Sequence, residues 1–400
     1  MPLSAETSLP PPSPEAAAHS QQLAEHIATV IANEGDWVPF SRYMELALYA
    51  PGLGYYAAGA RKFGEEGDFV TSPEISPMFA RCFALQAGQV LKNLGHGDIL
   101  ELGPGSGIFA ADLFDALKEQ GTVPGRYLLL EVSPDLRERQ RELLARRHPA
   151  DIDRFVWVDA LPAKIRGVVI ANEVLDVVPC SIVHRENGEI RESGVIVTEA
   201  GFAFEDSALP DGELARRAAA VIPPGDYEYL TEINLAAEAL VRTIAHSLEA
   251  GLALFIDYGY SEAEYYHPQR SMGTLRCHYR HRFHGDPFFW PGLQDITAHV
   301  DFTAMARAAE QGGCEVVGYT TQAYFLISCG LAVLVSAGDP TMTLSRLKGT
   351  SAVHRLIGPS EMGELFKVMG FAKGLEGPVL GFQSARHLPL HRDATPGEES

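Results

Sequence analysis

"DILELGPGSGIFAADL", residues 98–113, sets three glycines at alternate positions (Gly103, Gly105, Gly107) between an apolar run and a helix-like run. Ile99–Leu102 is short and largely apolar, as a buried parallel strand is. From Ile108 on, the apolar residues Ile108, Ala111, Leu113, Phe114 and Leu117 recur at the mixed spacing of an amphipathic helix. The glycines therefore occupy a strand-to-helix turn. Glycine there permits positive φ and lets a ligand lie against bare backbone.

The pattern continues outward. "RYLLLEV" (126–132) reads as a strand, "PDLRERQRELLARR" (134–147) as a helix, and "RFVWVDAL" (154–161) and "GVVIANEVL" (167–175) as strands. Strands alternating with helices predict an α/β, Rossmann-like fold with a mainly parallel, doubly wound sheet. The alternation breaks at "CSIVHRENGEIRESGVIVTEAGFAFED" (180–206), whose period-two runs flank Asn187-Gly188. That dipeptide favours a tight hairpin, so an antiparallel insertion is expected. A helix near 232–249 returns to a buried strand, "GLALFIDYGY" (251–260). Residues 259–297 show no clear periodicity. A helix from Thr303, "CEVVGYTT" (314–321), a helical 322–338 and a late strand "PVLGF" (378–382) complete the sheet. Upstream, helices are expected over Ala17–Asn33, over "FSRYMELALYA" (40–50) and over Met78–Leu94. The division is a disordered tail (1–20), a helical extension with a Gly/Pro-rich loop (21–95) and a first core part (96–178). The hairpin insertion (179–230), a second core part (231–385) holding a substrate-side loop (259–297), and a flexible tail (386–400) follow.

Composition narrows the function. A formal charge of −20 over 400 residues disfavours non-specific attraction to nucleic acid or anionic membrane. Five cysteines form no CxxC pair and read as reduced thiols. No run approaches the roughly 20 apolar residues of a membrane span, and no Lys or Arg precedes Arg42. A signal peptide and an Arg-rich presequence are both disfavoured, and a cytoplasmic location is expected.

The loop Glu101-Leu-Gly103-Pro-Gly105-Ser-Gly107 is neither G-x-G-x-x-G nor a P-loop, since no Gly-Lys-Ser/Thr follows. The E-x-G-x-G-x-G form resembles the first motif of class I methyltransferases that use S-adenosylmethionine. Glu131 ends the second strand, where an acid accepts hydrogen bonds from both ribose hydroxyls; Asp159-Ala160 ends the third, where adenine wants an acceptor. Glu131 could instead be a solvated strand-end charge, and Asp159 a simple turn residue.

A wider resemblance follows. "GDFVTSPEISPMFA", "ILELGPGSG", "NEVLDVVP", "LFIDYGY", "MGTLRCHYRHRFHGDPFFWPGLQDITAHVDF" and "GPSEMGELFKVMGF" together resemble the MidA family of class I methyltransferases, from about Leu23 to Phe382. The mitochondrial members are similar to an assembly factor of respiratory complex I that symmetrically dimethylates an arginine of a core subunit; this chain resembles a bacterial member. The resemblance implies S-adenosylmethionine as cofactor and a protein substrate.

A guanidinium is a poor nucleophile while protonated, and carboxylates can grip it, orient one nitrogen and accept the proton. Glu173 and Asp176, after the fourth strand, are the catalytic candidates, although Asp176 could equally cap a following helix. Asn172 faces cofactor or substrate. Asp68, which could be a simple turn residue, together with Asp257, Tyr258 and His278 completes the substrate-side set. Pro179-Cys180 is a packing pair rather than a nucleophile, and the cluster Cys277, His278, His281, His284 and Asp286 has no metal-site spacing, so no metal is expected. The readings from other classes are an assembly chaperone that binds the cofactor without turnover and a small-molecule methyltransferase.

Overall fold

The computed structural model describes residues 9–58, 71–336, 352–383, 388 and 390. Its centre is a sheet of β1 (Asp98–Leu102), β2 (Tyr127–Leu130), β3 (Phe155–Val158), β4 (Ile165–Asn172), β5 (Leu248–Tyr260), β6 (Glu315–Thr321) and β7 (Phe366–Lys373). The spatial order is β3-β2-β1-β4-β5-β7-β6. Neighbours from β3 to β5 pair in parallel; β7 runs antiparallel to both β5 and β6. A short strand, Val300–Asp301, adds in parallel at the tip of β5.

Both faces of this sheet are covered, which is why its strands read as continuous apolar runs. Along β4 the period of two sends Val168 and Ile170 to one core, Val169 and Ala171 to the other. The first core is covered by α1 (Pro77–Leu94) and α2 (Ile108–Glu119) through Phe79, Phe83, Phe109 and Phe114. The helix Pro134–Arg147, α3, follows β2. The second core is covered by α4 (Leu235–Ser247) and α5 (Phe302–Gln311). Local chemistry sets the helix ends. Ser76 caps α1 with Pro77 at its first position, and left-handed Gly95 ends it; Ser133, Asn234 and Asp301 cap α3, α4 and α5.

The insertion is antiparallel, with Asn187 (φ 51°) and Gly188 (φ 80°) turning Ser181–Glu186 into Glu189–Thr198. Tyr229–Ile233, Gly201–Ala208 and Val38–Pro39 complete that sheet. The helices Pro14–Asn33 and Phe40–Tyr49 pack on it through Leu23, Ile27, Phe40, Tyr43 and Met44, against Ile182 and Val195.

Three local expectations differ from the structure. The first helix starts at Pro14, inside the stretch read as a tail, because Ser13 caps it and Ala16, His19 and Leu23 are buried. Residues 259–297 contain a small sheet of Arg276–Tyr279, Arg282–His284 and Asp295–Thr297, whose strands are too short to show periodicity. The last strand is β7, whereas "PVLGF" leads into a short helix, Leu380–Gln383. The Phe382 ring lies against Gly318 and Gly370, where a Cβ would stand 2.3 and 2.5 Å from it. That segment covers the sheet instead of extending it.

Candidate active site

The C-terminal ends of β1, β4 and β5 open onto one cleft. It is lined by Glu101, Gly103–Ser106, Asn172, Glu173, Asp176 and Tyr258 from these strand ends, and by Tyr55, Tyr56, Glu74, His278, Asp295 and Thr297 from other segments. Gly103, Gly105 and Gly107 have φ of 60°, 53° and 81°, so the loop after β1 needs glycine at each. A Cβ on Gly105 would meet no atom within 4 Å. The space beside that backbone belongs to the cleft.

The buried Glu101 carboxylate accepts the Tyr127 hydroxyl at 2.6 Å, and burial pushes its pKa up to about 8. Glu131, buried at the end of β2, accepts the Ser133 amide at 2.9 Å and the Gln140 side chain at 3.2 Å. Burial raises its pKa, and these bonds oppose the rise. Gln140 is fully buried and also donates to the Gly105 carbonyl at 2.8 Å while accepting the Trp157 indole at 2.8 Å. It thereby fixes Glu131 to the glycine loop. Nothing in the local sequence signalled it. Beyond Glu131, Val132 is 63% exposed. Asp159 and Ala160 are exposed at the β3 tip and do not line the cleft. Asp159 pairs with Arg137 at 2.6 Å, and Arg137 also donates to the carbonyls of Glu131 (2.6 Å) and Val158 (2.9 Å).

At the β4 tip, Asn172 donates to Glu173 at 3.1 Å, while the buried Asn172 Oδ1 has no hydrogen-bond partner. Glu173 has φ +53°, a conformation that costs a non-glycine residue about 1 kcal/mol or more. Its amide donates to the Ile256 carbonyl at 2.9 Å. Its pKa rises to about 8 through burial first and then the charge of Asp257, against the Asn172 bond. Asp176 is 4% exposed, its Oδ1 has no partner, and burial with the charges of Asp257, Asp295 and Glu173 holds its pKa well above the usual range.

The helix-cap alternative for Asp176 fails, because the chain turns after Glu173 and enters the strand Ser181–Glu186. Asp257 takes the capping role and leaves the substrate side. Fully buried, its Oδ2 accepts the amides of Val174 (3.2 Å), Leu175 (2.9 Å) and Asp176 (3.2 Å), and its Oδ1 that of Tyr258 (2.9 Å). The reason is the register. Ile256 pairs with Asn172, so Asp257 lies level with the turn and supplies the acceptor its amides need. Tyr258 lines the cleft and packs on Phe366 at 4.0 Å. His278 lines it as well, and burial with neighbouring His284 pushes its pKa down to about 4, leaving it neutral. Asp68 lies outside the described residues.

Tyr55, Tyr56, Glu74 and Asp295 were not singled out in the sequence. For Glu74 and Asp295 the signal was present in "TSPEIS" (71–76) and "DITAHVDF" (295–302), which served only to mark the family resemblance; nothing local signalled Tyr55 or Tyr56. Among the described residues no group of three or more His, Cys, Asp or Glu is placed to hold a metal ion. All five cysteines are buried, and Cys180 packs on the Met44 sulfur at 4.0 Å.

A seven-stranded sheet of this order with a reversed β7, a glycine loop after β1 and an acid ending β2 define a class I methyltransferase that uses S-adenosylmethionine. A family model described as "Putative S-adenosyl-L-methionine-dependent methyltransferase" matches residues 82–320, and the chain belongs to that family. The chain is similar to the Drosophila melanogaster protein arginine methyltransferase NDUFAF7 homolog, mitochondrial, with 28% identity covering 93% of this chain and 92% of that one. The Danio rerio protein arginine methyltransferase NDUFAF7, mitochondrial, is 28% identical over 87% of this chain and 86% of its own. A crystal structure of a Burkholderia thailandensis "likely methyl transferase" bound to S-adenosyl-homocysteine is 46% identical. It superposes with a TM-score of 0.90, covering 94% of this chain and 98% of that one. The residues fit the cofactor: at Gly105 the loop leaves open space beside the backbone, and the buried Glu131 carboxylate, beyond the cleft lining, ends β2 two strands from Asn172 with its orientation fixed. Among the described residues no helix is long and apolar enough to cross a membrane.

Proposed function

We propose that this methyltransferase modifies an arginine side chain of a protein substrate. The observation that carries the reading is the set of carboxylates in the cleft, Glu173, Asp176 and Asp295, next to the glycine loop. Neither Glu173 nor Asp176 is paired with a lysine or arginine among the described residues, and each is pushed toward its neutral form by burial first and then by the repulsion of neighbouring carboxylates, Asp257 foremost and Asp295 after it. An arriving guanidinium relieves that repulsion and draws the acids into their charged forms. A neutral hydroxyl substrate would leave the repulsion in place. The relatives named as protein arginine methyltransferases support the same choice, and the MidA resemblance suggests a respiratory complex I core subunit as the kind of partner.

In this reading Glu101, the loop Gly103–Gly107, Glu131 and Asn172 hold the cofactor, while Val132 and the tip Asp159-Ala160 border its adenine. When bound, S-adenosylmethionine supplies a methyl group made electrophilic by its sulfonium. Glu173 accepts hydrogen bonds from the guanidinium, turns one nitrogen toward the methyl position and takes up the proton released as that nitrogen is alkylated. Asp176 adds negative charge beneath the cation. Tyr258 walls the cleft and limits water.

The experiment is incubation of the purified protein and isotopically labelled S-adenosylmethionine with a protein extract, followed by mass spectrometry of the labelled residue. Label on arginine nitrogen supports the reading. Label confined to other residues or to the small-molecule fraction rejects it, and binding without any label favours a chaperone.

A further inference from the structure

We propose that Asp295 is a second substrate-binding carboxylate, gripping the cationic side chain from a wall of the cleft separate from Glu173, with Tyr56 as its positioning residue. The inference rests on the arginine reading and names a further determinant of it. Asp295 opens the strand Asp295–Thr297, whose antiparallel register sets it directly across from His278; both residues line the cleft. Residues across from each other share a face of the sheet, so the small sheet turns an acid and a neutral imidazole toward the same space as Glu173. Asp295 is 4% exposed.

Its carboxylate is aimed. Tyr56 donates its hydroxyl to Asp295 Oδ2 at 2.9 Å. The Tyr56 ring is itself held by Tyr49, stacked at 5.6 Å, and by Tyr55, edge-on at 5.0 Å. A phenol is a neutral donor, so the bond fixes the carboxylate without cancelling its charge. Two more buried aspartates, Asp257 and Asp301, bind backbone amides of turns and helix ends; Asp295 accepts a side-chain hydroxyl of the N-terminal segment and lines the cleft. A guanidinium carries five N–H donors in one plane. Two carboxylates on separate walls can engage its edges and leave one nitrogen face open toward the methyl position, whereas Glu173 alone leaves the plane free to rotate.

The test uses the full chain saturated with S-adenosyl-homocysteine and two probes of one shape, Nα-acetyl-arginine amide and the uncharged Nα-acetyl-citrulline amide, followed by ligand-observed NMR. The wild type is expected to prefer the arginine probe by about 10-fold or more, the scale of a charge-assisted hydrogen bond. Asp295→Asn removes most of that preference while S-adenosyl-homocysteine affinity stays within about two-fold. Tyr56→Phe keeps the carboxylate but frees its rotation, and weakens the arginine probe by about three-fold; it carries the test if Asp295→Asn fails to fold. Full preference retained in either variant overturns the assignment and leaves the arginine reading intact. Loss of S-adenosyl-homocysteine binding in Asp295→Asn also overturns it, by moving the residue to the cofactor side. A wild type that binds both probes equally, or neither, removes the arginine reading itself.

Discussion

Glu173 combines a left-handed backbone with a carboxyl group whose pKa is raised to about 8. Its strain is retained because the amide donates to Ile256 and Asn172 anchors the side chain. The raised value sets a sign. Glu173 binds a cation only when ionised, so kcat/KM should climb with pH through about 7, reach half its maximum near 8, the value for the free enzyme, and level off only above about 9. A bound guanidinium lowers that pKa, so kcat should level off earlier. Glu173→Gln keeps the shape and removes the charge; methylation should fall by about 100-fold or more while cofactor affinity changes only a few-fold. Glu131 makes the contrasting case. Glu131→Ala should weaken S-adenosylmethionine and S-adenosyl-homocysteine alike by about 1.5–3 kcal/mol, since both ligands carry the same ribose. Isothermal titration with the two ligands measures this, and unequal losses would place Glu131 near the sulfonium instead.

The element that shapes the site is the turn after β4, and the neighbouring strand holds it. Three successive amides, Val174 to Asp176, converge on one oxygen of Asp257. In Asp257→Asn one acceptor oxygen becomes an NH₂ group facing other donors. Stability should drop by about 2 kcal/mol or more in urea unfolding, with methylation lost out of proportion to S-adenosyl-homocysteine affinity because Glu173 and Asp176 lose their positions. No sequence pattern announced this, since the acid serves a turn 81 residues away in the chain. The local signals were legible: the glycine turn, the buried strands and the Asn187-Gly188 hairpin each depend on neighbours in sequence. The "PVLGF" segment was not, because its conformation depends on Phe382 finding Gly318 and Gly370. Asp295 and Tyr56 were missed for the same reason, being joined only by a contact across 239 residues.

At the scale of the whole molecule, several buried acids are shifted in the same direction. Glu101 and Glu173 are raised to about 8 and Asp301 to about 7, each chiefly by burial. A raised carboxyl keeps its proton in the folded state at pH values where the unfolded chain has released it, so stability falls as pH rises between the two pKa values. His278 and His299, lowered to about 4 by burial, work the other way, but only below the ordinary histidine value of 6.5. From about 6.5 to 8 the acids act alone, and the formal charge of −20 adds self-repulsion of the same sign. Below 6.5 these acids outnumber the two histidines, so the Tm of the apo protein should already fall with pH there, and it should fall more steeply from about pH 6.5 to 8.5, followed by scanning fluorimetry at fixed ionic strength. Glu101→Gln and Glu173→Gln should each flatten the decline, because an amide cannot ionise. A Tm that stays level or rises across this window would mean that the acids are already charged at neutrality, and the cleft would then face its substrate with its negative charge fully developed.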